Sequence, residues 1–159
     1  IGTGLVGSEM CIRDRACRIL QKRRIYEFLA VGECSINIEN PLLKGPKYLG
    51  HLSSEELIKV YSFSDIFVLP SLSDAFPVSH LEAMALGLPV ILTNSCGNMI
   101  DDGKSGYIIN PRDANNLADK IEEIVENRVL REQFSENARK KIKDYGVEQF
   151  YKNLDKALS

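Results

Sequence analysis

The stretch that most constrains the fold of this chain covers residues 66–93. Two apolar runs, residues 66–69 and 89–93, have the length and unbroken hydrophobicity of strands buried on both faces. Between them, a loop rich in Ser, Asp and Pro precedes a segment with the i, i+3, i+4, i+7 apolar spacing of a helix. We expect Ser79 to cap this helix in a capping box with Glu82, and Gly87 to end it in the left-handed conformation. The stretch therefore predicts a right-handed βαβ crossover.

The rest of the chain alternates between strand and helix patterns in the same way. Ser53 and Glu56 form a second capping box, and Asp113 precedes a long apolar stripe. Together these signals predict an α/β fold, a Rossmann-like parallel sheet flanked by helices. The further strands are expected at 25–31, 47–49 and 107–109, a loop at 33–46, and helices at 16–24, after Ser53, after Asp113, along the stripe Leu130, Phe134, Ala138, Ile142, and at 147–158.

Residues 1–15 do not fit this pattern. Their apolar side chains follow neither a helical nor a strand period, and residues 6–15 resemble translated sequencing-adapter read-through. We interpret 1–15 as a non-native leader joined to a truncated gene, and 16–159 as the domain; the alternative is a genuine N-terminus. The glycines at positions 2, 4 and 7 match a GxGxxG spacing, but no strand precedes them, so we do not interpret them as a dinucleotide site.

Composition narrows the classes of function. At 159 residues there is room for one domain with a sizeable core, and the net charge of −2 favours binding to neither nucleic acid nor an anionic membrane. No apolar run is long enough to cross a bilayer. The four cysteines form no CxxC pair and lie far from both histidines, so we expect no metal site and reduced thiols in a cytoplasmic protein.

Three segments carry a resemblance to a known family. Residues 74–77 (DAFP), 81–85 (LEAMA) and 87–91 (GLPVI) resemble the signature of group 1 (family 4) glycosyltransferases. The resemblance implies retaining, nucleotide-sugar-dependent enzymes of the two-domain GT-B fold, of which this chain is an incomplete C-terminal, donor-binding half. Asp74 and Glu82 occupy the positions of the family's two glutamates, which are separated by seven residues.

The resemblance also implies roles for the residues of this motif. Glu82 would accept two hydrogen bonds from the donor ribose, whereas the alternative is the capping role described above. Asp74 would act as the catalytic carboxylate near the donor sugar, one methylene shorter than glutamate; the alternative is a turn-forming Asp. The backbone N–H groups of Ala75, Phe76 and Val78 would face the sugar or the diphosphate. We interpret the neighbouring histidine, at position 80, as a surface or packing residue rather than a general base, and we expect no metal or other cofactor.

The chain also departs from the family pattern. The loop after residue 93 has one glycine where relatives have a Gly-Gly pair, lacks their glutamate, and is about two residues short. The Arg and Lys that follow the family's first strand would lie upstream of residue 25. We therefore expect this chain to bind donor weakly and to transfer nothing by itself.

The function implied for the whole enzyme is retaining transfer of a sugar from a UDP- or GDP-sugar to a glycan or lipid-linked acceptor. The acceptor would be held by a missing N-terminal domain, in the cytoplasm or at the inner face of the membrane, as in polysaccharide biosynthesis. Two alternatives remain: a GT-B-fold sugar-nucleotide epimerase, and a non-catalytic, degenerate nucleotide-binding or interaction module.

Overall fold

The structure, a computed structural model, describes residues 8–23, 26–32 and 46–144. Most of the predicted loop at 33–46 and the whole predicted helix at 147–158 lie outside these residues. The elements, in chain order, are α1 Ser8–Arg23, β1 Leu29–Val31, β2 Lys47–Gly50, α2 Ser54–Phe63, β3 Phe67–Leu69, α3 Val78–Ala85, β4 Val90–Thr93, β5 Gly106–Ile109, α4 Ala114–Glu126 and α5 Arg128–Asp144.

Every pair of strands described is parallel, which confirms the predicted α/β class. β1 pairs with β2, while β3, β4 and β5 form a three-stranded sheet in that order. The βαβ unit predicted from residues 66–93 is β3–α3–β4, in which Phe67 stands opposite Val90 and Leu69 opposite Leu92. Because both strands run in the same direction, their carboxyl ends meet at one rim of the sheet, and the loop before α3 leaves from that rim.

The central strands are buried on both faces because helices cover each side. Val68 and Ile91 belong to a core with residues of α1 and α4. Phe67 and Leu92, whose side chains alternate with these, belong to a second core with residues of α2 and α3. The result is a sheet between two helical layers, and it explains why the strand sequences are continuously apolar rather than alternating.

The two C-terminal helices of the described part follow their predicted stripes. Asp113 caps α4 by accepting a hydrogen bond from the backbone N–H of Asn116 at 2.9 Å. The buried side chains are Leu117, Ala118, Ile121 and Ile124 on α4, and Phe134, Ala138 and Ile142 on α5. The capping box of Ser53 and Glu56 is also present at the start of α2.

Helix α1 starts earlier than the sequence suggested. It begins at Ser8 rather than near residue 16, and Ile12 is buried together with Cys17 and Leu20. The expectation that residues 1–15 follow no helical period is therefore wrong for residues 8–15. Packing against α4 explains the extended helix, because tertiary contacts contribute more to helix stability than local propensity does. That residues 1–15 are non-native stays a prediction.

Strand β1 is shorter than predicted, covering 29–31 instead of 25–31. Its partner β2 begins only at Lys47, whose N–H donates to the carbonyl of Phe28 at 2.7 Å. Residues before Phe28 thus have no strand partner within the described ranges.

Candidate functional site

The N-terminus of α3 lies beyond the carboxyl end of β3, and its cap differs from the prediction. The N-cap is Pro77, with no side-chain cap hydrogen bond, and the helix already includes Ser79 and Glu82. The predicted capping box of Ser79 with Glu82 is therefore wrong. The N-cap thus lies two residues before the predicted one. Pro77 has φ −68°, and the Nδ1 atom of His80 bonds the Pro77 carbonyl across the first turn.

This correction leaves the Glu82 carboxylate without a capping role. It lies one helical turn, about 6 Å, along the axis from Val78. The Tyr61 hydroxyl donates to its Oε2 atom at 3.5 Å. Burial raises the pKa of Glu82, and the hydrogen bond from Tyr61 acts in the opposite direction. Glu82 is thus a half-buried acceptor whose charge is disfavoured by its surroundings.

The contact from Tyr61 gives a first testable expectation. Tyr61 is 3% exposed, so Tyr61→Phe keeps the packing and removes only the hydroxyl. Because a hydrogen bond to a charged group contributes about 1.5–3 kcal/mol at best, and this one is long, we expect a stability loss below about 1.5 kcal/mol. The pKa of Glu82 should rise further, which NMR titration of its side-chain carboxyl carbon measures. An unchanged Glu82 titration would contradict the contact.

Asp74 is held by its backbone rather than by its side chain. Its N–H donates to the Ser95 carbonyl at 3.3 Å, and its carbonyl accepts from the Gly97 N–H at 3.1 Å. Its carboxylate makes no hydrogen bond with any other described residue, so the structure gives no support to a turn-forming Asp. The loop before α3 and the loop after β4 are thereby joined by a backbone bridge, and the half-exposed carboxylate projects from it.

Ala75, Phe76 and Val78 surround the start of α3 on the solvent side. Phe76 is 42% exposed and Val78 47% exposed, and Ala75 is exposed as well. Their N–H groups find no acceptor among the described residues. Three exposed residues with backbone donors thus lie at the positive end of a helix, a position that favours an anion or a polar sugar.

Of the two interpretations of His80 from the sequence, surface or packing, the structure shows packing. It is fully buried, its Nδ1 atom contacts the Pro77 carbonyl, and its Nε2 atom contacts the Met99 N–H at 3.3 Å. A carbonyl only accepts and an N–H only donates, so the proton resides on Nδ1 and the ring is neutral. Burial lowers the pKa of His80, which agrees with a neutral ring.

The structure brings some predicted residues together and leaves others apart. Asp74, Ala75, Phe76 and Val78 follow one another along the rim, whereas Glu82 faces α2, and the two carboxylates make no contact with each other in the described part of the chain. The sequence analysis missed the hydroxyl of Tyr61. The signal was available, because a buried tyrosine usually needs a partner for its hydroxyl.

The described residues contain no group of three or more His, Cys, Asp and Glu side chains placed to hold a metal ion. None of the helices described there is both long and apolar enough to cross a membrane.

A parallel α/β domain with a helix N-terminus at the carboxyl ends of its strands falls in the class of open α/β-sheet proteins, which bind their ligands at that edge. Comparison with known families narrows this class. Residues 38–141 match the family described as "Glycosyl transferases group 1", and the chain belongs to that family.

Curated relatives include enzymes from a plant and a bacterium. The chain is 33% identical over 103 residues to the sulfoquinovosyl transferase SQD2 of Arabidopsis thaliana, covering 62% of this chain and 20% of that protein. It is 34% identical over 89 residues to the capsular polysaccharide biosynthesis glycosyltransferase CapM of Staphylococcus aureus, covering 55% and 23%. The matched region thus spans about a fifth of the length of these relatives.

Among solved structures, Anabaena Alr3699/HepE in complex with UDP-glucose superposes with a TM-score of 0.78 at 17% identity. The match covers 98% of this chain and 47% of that one. This likeness shows the fold: the chain corresponds to part of the C-terminal half of a GT-B glycosyltransferase.

Proposed function

We propose that this domain binds the nucleotide-sugar donor of a retaining glycosyltransferase that transfers a hexosyl group to a glycan or lipid-linked acceptor. The single observation that carries the proposal is the half-buried Glu82 carboxylate, free of a capping role and one turn from the exposed start of α3. The complex of Anabaena HepE with UDP-glucose supports a donor of this kind.

The ribose, the diphosphate and the sugar of the donor would each bind different residues at or near α3. A ribose diol needs an acceptor that takes two hydrogen bonds, and an ionised carboxylate such as Glu82 has lone pairs for both. The diphosphate and sugar need donors, and the N–H groups of Ala75, Phe76 and Val78 provide them near the helix N-terminus. Asp74, at the bridge between the two loops, would lie beside the sugar as the catalytic carboxylate.

The whole enzyme would act with no metal or other cofactor, because the helix dipole and backbone donors supply the positive potential that a diphosphate requires. We further propose a cytoplasmic enzyme of polysaccharide biosynthesis that associates peripherally with the membrane and takes its acceptor from a second domain. Membership of the group 1 family favours transfer over the epimerase, and no observation specifically favours the degenerate module.

The test of this proposal is transfer by an intact protein that carries this domain, measured across a panel of UDP- and GDP-sugars. We expect sugar transfer from one donor. NMR of the product should show that the α configuration of the donor is retained. Absence of transfer from every donor would contradict the proposal, and a β-configured product would contradict retention. Free epimerised sugar nucleotide would favour the epimerase instead.

A further inference from the structure

Two segments that are distant in sequence meet beside the proposed donor site. One is the loop before α3, residues 70–77, and the other is the loop after β4, residues 94–99. The backbone bridge between Asp74 and residues 95–97 joins them on one side. A second connection exists on the other side, and it runs through a single side chain, His80.

His80 contacts both segments at once. Its Nδ1–H donates to the carbonyl of Pro77, at the end of the first loop, while its Nε2 accepts from the N–H of Met99, at the end of the second. Its ring also meets the Phe76 ring edge to face, with centroids 5.3 Å apart. The imidazole therefore contacts Phe76 and Pro77, in the loop that carries the proposed N–H donors, and Met99, in the opposite loop.

We propose that His80 is a positioning residue for the donor site: it fixes the loop after β4 against the N-terminus of α3 through its Nε2···Met99 hydrogen bond. This inference rests on the proposed function, because it concerns how the same site is kept in shape. A neutral imidazole is suited to the task, since it is the side chain that donates with one nitrogen and accepts with the other in a rigid ring.

Two conservative variants separate the two hydrogen bonds. The side-chain amide of His80→Asn reaches the position of Nδ1 and keeps the bond to Pro77, but it loses the bond to Met99. The longer His80→Gln places its carbonyl oxygen near the position of Nε2 and keeps the bond to Met99. If His80 positions the donor site by holding the loop after β4, donor affinity depends on the bond to Met99 and not on the bond to Pro77.

The expected results concern loop opening and donor affinity. In His80→Asn the amide hydrogen of Met99 should exchange about tenfold faster, and UDP-glucose should bind about fivefold to tenfold more weakly. In His80→Gln both should stay within about threefold of wild type. Equal donor affinity in the two variants, or unchanged Met99 exchange in His80→Asn, would overturn the proposal.

A pH profile adds a readout that packing alone would not change. Protonated Nε2 cannot accept from Met99, so wild type should lose donor affinity as pH falls below the usual histidine value of about 6.5. Burial lowers the pKa of His80, which moves the loss to lower pH, while the hydrogen bond to the Pro77 carbonyl and, less strongly, the charge of Asp74 act in the opposite direction. His80→Gln lacks this titration, so the difference between the two pH profiles separates the titration of His80 from that of Glu82.

The probe should be UDP-glucose rather than UDP, because a terminal phosphate titrates near pH 6 by itself. If His80→Asn does not fold, the comparison of wild type with His80→Gln across pH still decides, and identical profiles overturn the proposal. If the wild-type chain binds no nucleotide-sugar, the proposed function fails together with the donor side of this inference. The Met99 exchange rate would then still show whether His80 holds the loop.

Discussion

Replacing Gly97 by alanine should destabilise the domain and open the donor site. A Cβ atom at Gly97 would overlap the carbonyl oxygen of Ala75 and would lie 3.2 Å from Cδ2 of Phe76. Gly97 is not among the glycines with positive φ, so the effect is purely steric. Because the obstacle is backbone, it cannot rotate away, and the bridge between Asp74 and Gly97 must shift or break.

The expected size follows from the cost of overpacking. We expect a loss of about 1–3 kcal/mol in the free energy of unfolding, and a thermal midpoint lower by about 3–10 °C. Donor binding should fall as well, since the N–H groups of Ala75 and Phe76 belong to the displaced loop. Thermal unfolding followed by circular dichroism measures the first effect, and titration with UDP-glucose measures the second.

The matched control is Ser95→Ala in the same loop. The Ser95 hydroxyl makes no hydrogen bond with the described residues, so this substitution should change stability by less than about 0.5 kcal/mol. Equal midpoints for Gly97→Ala and Ser95→Ala would contradict the close approach of the two loops.

Glu82→Gln should weaken nucleotide-sugar binding without unfolding the domain. Glutamine has one acceptor oxygen where the carboxylate has two, and it carries no charge, so a ribose diol loses one hydrogen bond and the other is no longer charge-assisted. We expect an affinity lower by about 10- to 100-fold. Stability should be maintained at neutral pH, because burial disfavours the charge of Glu82 and Tyr61 can donate to the amide oxygen instead.

The control for this variant is Glu55→Gln, which changes an exposed glutamate in the first turn of α2 by the same atoms. It should leave donor affinity unchanged. A parallel loss of affinity in both variants would indicate a general effect of charge. A loss of stability without any effect on binding would show that Glu82 is structural.

The sequence was sufficient where the signal is local and periodic. The apolar runs at 66–69 and 89–93 predicted parallel strands buried on both faces, and Gly87 ends α3 with a φ of +81° as expected. The helix stripes after Asp113 were also predicted, since each depends only on spacing within one element.

Predictions from local spacing were wrong where contacts between residues distant in sequence determine where a helix begins. Two capping boxes were predicted from the same spacing, and only that of Ser53 with Glu56 formed. At α3 the fixed φ of Pro77 and the ring of His80 set the start of the helix instead. Helix α1 likewise extends to Ser8 because it packs on α4, which no window of sequence around it reveals.

The candidate site was likewise predicted only in part. The motif residues could be named from their spacing, but the contacts that hold them could not. Tyr61 reaches Glu82 across 21 positions and Met99 reaches His80 across 19. Such contacts depend on how helices and loops that are distant in sequence pack against one another, and local pattern does not reveal this.

The most direct test of the central claim is titration of the 15N-labelled chain with UDP-glucose and GDP-mannose, followed residue by residue through its amide signals. The account predicts weak, saturable shifts at Ala75, Phe76 and Val78 with at least one of the two donors, and their loss in Glu82→Gln. Shifts confined to residues away from the start of α3, or identical shifts in Glu82→Gln, would contradict a donor site at the α3 N-terminus.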